Sequence, residues 1–176
     1  SALADATHPY LPRLAALMRA FSEADRAVLG ICLGAQVLAR GFGAQNLLDA
    51  APEFGWHNVR LTAAGRADPL LAAQGPAFPI FQWHADTFTL PDAATHLAST
   101  PKAPAQAFRI ARATWGTQFH FEASRAVVAD WARRFSGLVE AQEPGFAAAL
   151  PARSAIEGPA ADSAGLAIAR AFVAHI

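Results

Sequence analysis

The feature that most constrains this chain is a short apolar run that breaks into Gly-x-Cys-x-Gly and continues as a helix-forming segment. The apolar run is Val28–Ile31, the break is centred on Cys32, and residues 35–40 favour a helix. A buried strand that enters a helix through a turn flanked by glycines is the layout of a nucleophile elbow. The backbone of the apex residue is strained there, and Gly30 and Gly34 are expected to leave room for the helix to pass close to the strand.

Cys32 occupies the apex of this turn and is the only cysteine in the chain. The turn lifts its side chain clear of the sheet at the positive end of the following helix, a position that favours a thiolate. The alternative is a small buried hydrophobe after a core strand, which is the role of most free cysteines. One cysteine cannot form an internal disulfide, so the chain suits a reducing compartment, and we expect it to be cytoplasmic.

A second stretch favours the catalytic interpretation of the cysteine. The segment Gly116–Glu122 reads Gly-Thr-Gln-Phe-His-Phe-Glu, so His120 and Glu122 are two residues apart. In a strand, residues with this spacing share one face and lie roughly 6–7 Å apart along the chain. A histidine beside a carboxylate can be held in one tautomer and act as a base toward a thiol. Nucleophile, base and orienting acid are therefore all present.

With these motifs, the chain resembles the class I (triad) glutamine amidotransferases. The resemblance rests on Gly30–Gln36 and Gln118–Glu122, supported by Glu53–Trp56 and Trp83–Asp86 between them. It runs from about Leu11 to Phe135 and is nearest to stand-alone proteins similar to the amidotransferase domain of GMP synthase. One departure is a phenylalanine between the histidine and the glutamate, where the family usually has proline. It leaves the triad side chains in place.

The resemblance implies a single domain over residues 1–176 with an α/β fold, in which helices flank a mostly parallel, flavodoxin-like central sheet. In the family, further strands and a glycine-rich loop that supplies part of the oxyanion hole precede the first helix. We therefore expect an N-terminal segment of several tens of residues to be missing from this sequence. A sheet without those strands would expose an unpaired edge and apolar helix faces.

Hydrophobic periodicity supports an α/β arrangement independently of the resemblance. Helices are predicted near residues 11–21, 35–40, 123–135 and 161–175, and strands near 27–31, 46–49, 54–62, 78–84, 95–100, 106–111 and 113–119. The elbow cysteine and the histidine of the second motif both fall at the carboxyl ends of strands. Open α/β sheets bind their ligands at such ends. The proline-broken segment after residue 135 carries no chemical motif, and we expect it to serve packing or as a linker.

The resemblance also assigns roles around the triad. The backbone N–H of Leu33, which follows the nucleophile, is the expected oxyanion donor. Gln36 lies one helical turn further on, and the matching glutamine of the family contacts the substrate glutamine. A bare helix residue would more often face solvent.

The loop Trp83-His84-Ala85-Asp86 corresponds to the family segment that holds the amino and carboxylate groups of glutamine. Trp83, Ala85 and Asp86 are therefore candidate substrate contacts, with Asp86 favoured because a carboxylate can meet an ammonium. The competing interpretation is a structural corner, in which the tryptophan packs and His84 caps a turn. Glu53 and Trp56 are expected mainly to pack around the cleft.

Composition excludes several other functions. The formal net charge is zero with no basic stripe, which argues against nucleic acid as a partner. No apolar run approaches the ~20 residues needed to span a bilayer. The remaining histidines are scattered without ligand spacing, so we expect no metal and no cofactor.

Three functions remain open from the sequence. The first is hydrolysis of the glutamine side-chain amide through a cysteine thioester, with ammonia passed to an acceptor, for which a synthetase subunit is one candidate. The second is an independent γ-glutamyl amide or peptide hydrolase that uses the same triad. The third is a non-catalytic regulatory relative, against which the intact Cys32, His120 and Glu122 argue.

Overall fold

The computed structural model describes residues 1–176 as eight strands and seven helices. The strands are β1 (Val28–Ile31), β2 (Asn46–Leu47), β3 (Glu53–Leu61), β4 (Ala77–His84), β5 (Thr87–Phe88), β6 (Thr95–Ser99), β7 (Ala107–Ile110) and β8 (Thr114–Thr117). The helices are α1 (Leu11–Glu23), α2 (Leu33–Gly41), α3 (Ala63–Ala67), α4 (Arg125–Arg134), α5 (Ser136–Gln142), α6 (Phe146–Ile156) and α7 (Gly158–Val173). The predicted α/β class with flanking helices is confirmed.

The central sheet is mixed rather than mostly parallel. Its six strands lie in the order β1-β8-β7-β6-β3-β4, and β2 and β5 form a separate pair. Only β1 and β8 run parallel, whereas the other four neighbouring pairs are antiparallel. The expectation of a mostly parallel sheet is therefore wrong for this chain. The short connections from β6 to β7 and from β7 to β8 allow hairpins, which a parallel sheet excludes, whereas β3 and β4 pair antiparallel through a longer connection that contains α3.

The sheet curls so that its two ends meet near the second motif. The backbone N–H of His120, just after β8, donates to the carbonyl of Phe81 on the edge strand β4 at 2.9 Å. This bridge carries the end of β4 across to the elbow at the end of β1. The loop that begins with Trp83 is thereby placed beside Cys32.

The proline-broken C-terminal segment forms α5, α6 and α7, of which the sequence predicted only the last, and α7 packs onto the sheet. Ala164 and Ile168 of α7 belong to the main hydrophobic core. Gly165 lets α7 approach the second motif, because a Cβ there would lie 2.2 Å from the carbonyl oxygen of Phe121. The last helix thus supports the residue that separates His120 from Glu122.

The outer side of β1 has no strand partner. Beside it, Leu14, Leu17 and Phe21 of α1 are exposed, and they line an apolar groove of about 450 Å³. This is the edge where the sequence led us to expect further strands, and that expectation stays a prediction. None of the helices combines the length and apolarity needed to cross a membrane.

Candidate active site

The turn between β1 and α2 has the strained geometry of an elbow. Cys32 adopts φ 50° and ψ −108°, a conformation that non-glycine residues rarely adopt. Gly30 allows the close approach of helix to strand, because a Cβ on it would lie 2.5 Å from the carbonyl oxygen of Gly34. A Cβ on Gly34 would meet nothing within 4 Å, so the expectation that this second glycine also makes room is wrong.

The sulfur of Cys32 has two hydrogen-bond partners. The thiol donates to the backbone carbonyl of Trp83 at 3.7 Å, and the side-chain amide Nε2 of Gln118 donates to the sulfur at 3.6 Å. The residue is only partly buried. The nucleophile is therefore held by groups from two separate segments while its sulfur stays reachable.

His120 and Glu122 form the expected pair. Nδ1 of the imidazole and Oε1 of the carboxylate are 2.6 Å apart, and the histidine side chain is 14 % exposed. Burial disfavours the charged imidazole, but the neighbouring Cys32 and the hydrogen-bonded carboxylate of Glu122 outweigh it and raise the pKa of His120 to about 10. Cys32 is close enough to have this effect, although the hydrogen bonds of its sulfur go elsewhere. With this pKa, the imidazole beside the nucleophile is protonated at neutral pH.

Trp131 of α4 supports the imidazole from the side. Its ring meets the ring of His120 edge-on, with centroids 5.3 Å apart. Trp131 also packs against Trp83 at 5.6 Å. The same side chain therefore touches both the histidine and the loop that contacts Cys32. The sequence predicted a helix near residues 123–135, but nothing in it indicated that this tryptophan touches the triad.

A cavity of about 240 Å³ opens beside the nucleophile. The residues that line it are Ser1, Cys32, Leu33, Gln36, His84, Ala85 and Asp86. The structure thus brings most of the sequence-predicted substrate contacts to one cavity next to the elbow. Leu33 is the first residue of α2, so its N–H has no partner within the helix.

Gln36 is almost fully buried, and its amide is directed at protein groups. Its Nε2 donates to the carbonyl of Asp86 at 3.2 Å and to Oε1 of Gln118 at 3.4 Å. The carboxylate of Asp86 accepts from the N–H of Asp49 at 3.0 Å. The amide oxygen of Gln36 has no protein partner and is the atom that remains for a ligand.

The side chain of Trp83 does not line the cavity. It packs edge-on against Phe54, Trp131 and Phe135, as in the packing interpretation of this loop. Only its backbone carbonyl faces the nucleophile. Any contact of Trp83 with a ligand in the cavity would therefore come from the main chain.

Behind the cavity lies a buried polar pair. Oε2 of Glu53 is 3.2 Å from Nε2 of His84, and both side chains are 2 % exposed or less. Gln106 donates to the same carboxylate oxygen at 2.6 Å. Burial would raise the pKa of Glu53, but the neighbouring His84 and Thr100 side chains outweigh it and keep the pKa below its usual range. Glu53 is thus a buried polar anchor for the loop and does not serve packing alone.

His84 also contacts the carbonyl of Asp86 through Nδ1 at 3.2 Å. This is the turn-capping contact considered from the sequence. Together with the Glu53 contact, it fixes the start of the loop that lines the cavity. The structure groups no three histidine, cysteine, aspartate or glutamate side chains in a way that could hold a metal ion.

Comparisons with known proteins agree with the geometry. Residues 6–129 match the profile of the family described as glutamine amidotransferase class-I. The chain is 36 % identical over 99 residues to the glutamine amidotransferase-like protein YfeJ of Salmonella typhimurium, a match that covers 56 % of the chain and 41 % of YfeJ. It is 31 % identical over 116 residues to one subunit of the glutamine-hydrolysing GMP synthase of Methanococcoides burtonii, covering 65 % of the chain and 60 % of that protein. The matches thus span about half the length of these relatives.

Solved structures show the same likeness over more of the chain. A glutamine amidotransferase from Thermotoga maritima superposes with a TM-score of 0.82 at 25 % identity, covering 98 % of this chain and 74 % of the other. A glutamine amidotransferase from Methylobacillus flagellatus gives a TM-score of 0.76 at 21 % identity, covering 96 % and 70 %. The second likeness concerns the fold alone.

Proposed function

The chain belongs to the class I glutamine amidotransferases, and on that premise we propose that it hydrolyses the side-chain amide of glutamine through a thioester on Cys32. The observation that supports this most is the arrangement around one small cavity. Its wall carries a cysteine on a strained elbow, and beside that cysteine stands a histidine whose pKa is raised to about 10. A cysteine beside a protonated imidazole supplies both the nucleophile and the proton donor that this reaction needs.

In the first half-reaction the sulfur of Cys32 attacks the side-chain amide carbon of glutamine. A sulfur–carbon bond forms and the carbonyl electrons move to oxygen, where the Leu33 N–H donates to the oxyanion. When the carbon–nitrogen bond breaks, the imidazolium of His120 gives its proton to the departing nitrogen. Ammonia leaves, and a γ-glutamyl thioester remains on the cysteine.

In the second half-reaction the neutral His120 takes a proton from a water molecule. The resulting oxygen nucleophile attacks the thioester carbon, the sulfur–carbon bond breaks, and glutamate leaves. The thiolate and the imidazolium are thereby restored. Glu122 accepts a hydrogen bond from Nδ1 of His120 throughout the reaction. This contact keeps Nε2 of the imidazole directed at the reacting groups.

Substrate recognition is proposed for the walls of the cavity. The free amide oxygen of Gln36 accepts a hydrogen bond from the substrate, and the carboxylate of Asp86 attracts its ammonium group. The main chain at Trp83 and Ala85 completes the contacts from the loop. These assignments are supported by the shared cavity and by the hydrogen bonds that hold Gln36 against Asp86.

The fate of the ammonia is proposed from the relatives. The likeness to a GMP synthase component supports a synthetase partner that receives ammonia from this chain. Such a partner would control the rate of the reaction. We therefore expect slow hydrolysis of glutamine by this chain alone and faster hydrolysis when the partner is bound.

The experiment is a substrate panel read out as ammonia and glutamate release. Glutamine is offered with and without candidate synthetases, alongside γ-glutamyl amides and γ-glutamyl peptides, with Cys32→Ser as the control. We expect equal amounts of ammonia and glutamate from glutamine, and none with Cys32→Ser. Turnover of γ-glutamyl peptides but not of glutamine would instead identify an independent γ-glutamyl hydrolase, and turnover that survives Cys32→Ser would overturn the mechanism.

A further inference from the structure

The sulfur of Cys32 is touched by a side chain that the proposed mechanism does not use. Gln118 follows β8, two residues before His120, and is completely buried. Its Nε2 lies 3.6 Å from the sulfur. Its backbone N–H donates to the carbonyl of Gln106 at 2.8 Å, which fixes the residue against the neighbouring strand. A buried amide in this position needs partners for both its nitrogen and its oxygen.

The direction of the Gln118 amide is determined by its neighbours. The carbonyl of Asp86 can only accept, so the atom of Gln36 that faces it at 3.2 Å must be the donating Nε2. The same Nε2 also faces Gln118 at 3.4 Å, so the facing atom of Gln118 must be the accepting Oε1. The amide nitrogen of Gln118 is therefore left to point at Cys32.

Reversing either amide would break this chain of hydrogen bonds. A reversed Gln118 would set two NH₂ groups against each other, and a reversed Gln36 would set its oxygen against the carbonyl of Asp86. The order Asp86 carbonyl, Gln36 amide, Gln118 amide, Cys32 sulfur is thus the only arrangement in which every contact pairs a donor with an acceptor.

We propose that Gln118 is a catalytic residue whose amide N–H stabilises the thiolate of Cys32, with its direction set by Gln36. The inference rests on the proposed role of Cys32 as the nucleophile. The other partner of the sulfur, the Trp83 carbonyl, can accept only from the protonated thiol. Gln118 is the partner that favours the charged form, since a hydrogen bond to a charged group is stronger than one to a neutral group.

The proposal also gives Gln36 a second task. Besides its proposed contact with substrate, it links the loop at Asp86 to the nucleophile through Gln118. A ligand that moves this loop would therefore change the hydrogen bond to the sulfur without touching it.

The test measures how fast Cys32 is alkylated by iodoacetamide at neutral pH, a reaction in which the thiolate displaces iodide and no glutamine is recognised. Gln118→Met keeps the shape of the side chain and removes the donor. We expect alkylation about tenfold slower, the usual effect of losing one hydrogen bond to a charged group. The matched control is Gln82→Met, since Gln82 is also fully buried but donates to Gln106 and does not touch the sulfur. That variant should react within about twofold of the unchanged protein.

Alkylation of folded Gln118→Met at the unchanged rate would overturn the proposal, as would an equal slowing in Gln82→Met. If Gln118→Met does not fold, Gln118→Asn answers the same question, because shortening the side chain by one methylene withdraws the donor. Slower alkylation of Gln118→Asn than of the unchanged protein supports the proposal, and alkylation at the same rate overturns it. Since the assay contains no glutamine, its result does not depend on whether the protein hydrolyses glutamine. A failure of this proposal can therefore be distinguished from a failure of the proposed function.

Discussion

The backbone N–H of Cys32 donates a hydrogen bond to the carbonyl of Thr117 at 2.7 Å. This bond is the last rung of the parallel pairing between β1 and β8, and Thr117 is followed three residues later by His120. The nucleophile and the histidine therefore extend from the ends of two adjacent strands. Their relative position depends on the packing of α2 against β1, because α2 begins immediately after Cys32.

Gly30 and Gly34 make a matched pair for testing that packing. In Gly30→Ala the new Cβ would press on backbone atoms of the elbow helix, and we expect a loss of about 1–3 kcal/mol in the free energy of unfolding together with lower activity. Gly34→Ala meets open space inside a helix, so we expect it to be neutral or to stabilise by up to about 1 kcal/mol. Chemical denaturation of both variants measures the difference, and an equal loss in both would contradict the explanation.

The raised pKa of His120 predicts how the Glu122 interaction depends on pH. Because the folded pKa of about 10 lies above the ordinary 6.5, the charged pair stabilises the fold fully below about pH 6.5 and loses this effect as the pH rises through about 10. Glu122→Gln should therefore have a lower melting temperature than the unchanged protein near pH 6.5, and the gap should narrow toward pH 10.5. Asp92→Asn, at an exposed residue without an ion pair, is the control and should show no such trend. If the difference in melting temperature between the two proteins stays constant from pH 6.5 to pH 10.5, the claim that a charged His120–Glu122 pair stabilises the fold is wrong.

Trp131 is predicted to position the imidazole. Trp131→Ala should lower the turnover number about tenfold with a smaller change in KM, because the histidine loses its side support while the cavity is untouched. Trp131→Phe, which keeps an aromatic edge, should recover most of the activity. Phe135→Ala is the control, since Phe135 also packs on Trp83 but has no contact with His120. If Phe135→Ala slows turnover as much as Trp131→Ala, the effect comes from the loop and not from the imidazole.

The buried Glu53–His84 pair makes a prediction at acid pH. Glu53→Gln removes the buried carboxylate that accepts from Gln106 and faces His84, and should cost roughly 1–3 kcal/mol in the free energy of unfolding at neutral pH. Because the pKa of Glu53 is lowered in the folded state, its stabilisation is present above the ordinary value of 4.5 and is lost as the pH falls below it. The gap in stability between the two proteins should therefore shrink on acidification. A gap that widens toward low pH would show that Glu53 is not ionised in the fold.

Local sequence patterns predicted the elements that carry the site. The elbow followed from an apolar run, two glycines and a cysteine, because these residue types determine backbone conformation within a few positions. The spacing of His120 and Glu122 likewise indicated the pair, although both residues follow the end of β8 and do not lie in the strand from which their shared face was argued. Both features are found in the structure close to where the sequence put them.

Features that depend on distant pairing could not be predicted in this way. The antiparallel order of most of the sheet, the bridge from Phe81 to His120 and the contact of Trp131 with the imidazole all require knowledge of which strands and helices become neighbours. The polarity of Glu53 and Gln118 in otherwise apolar segments was the available signal for the buried network. It indicated that they needed partners but not which partners they have.

The measurement that tests the central claim most directly is covalent labelling of Cys32 by a diazo-ketone analogue of glutamine, read by mass spectrometry of the intact protein and its peptides. We expect one label per chain, located at Cys32, suppressed by an excess of glutamine and absent from Cys32→Ser. That result would identify a thiol that recognises glutamine. If the folded protein takes up no label, or if glutamine does not protect Cys32, the proposal that this chain hydrolyses glutamine through Cys32 is contradicted.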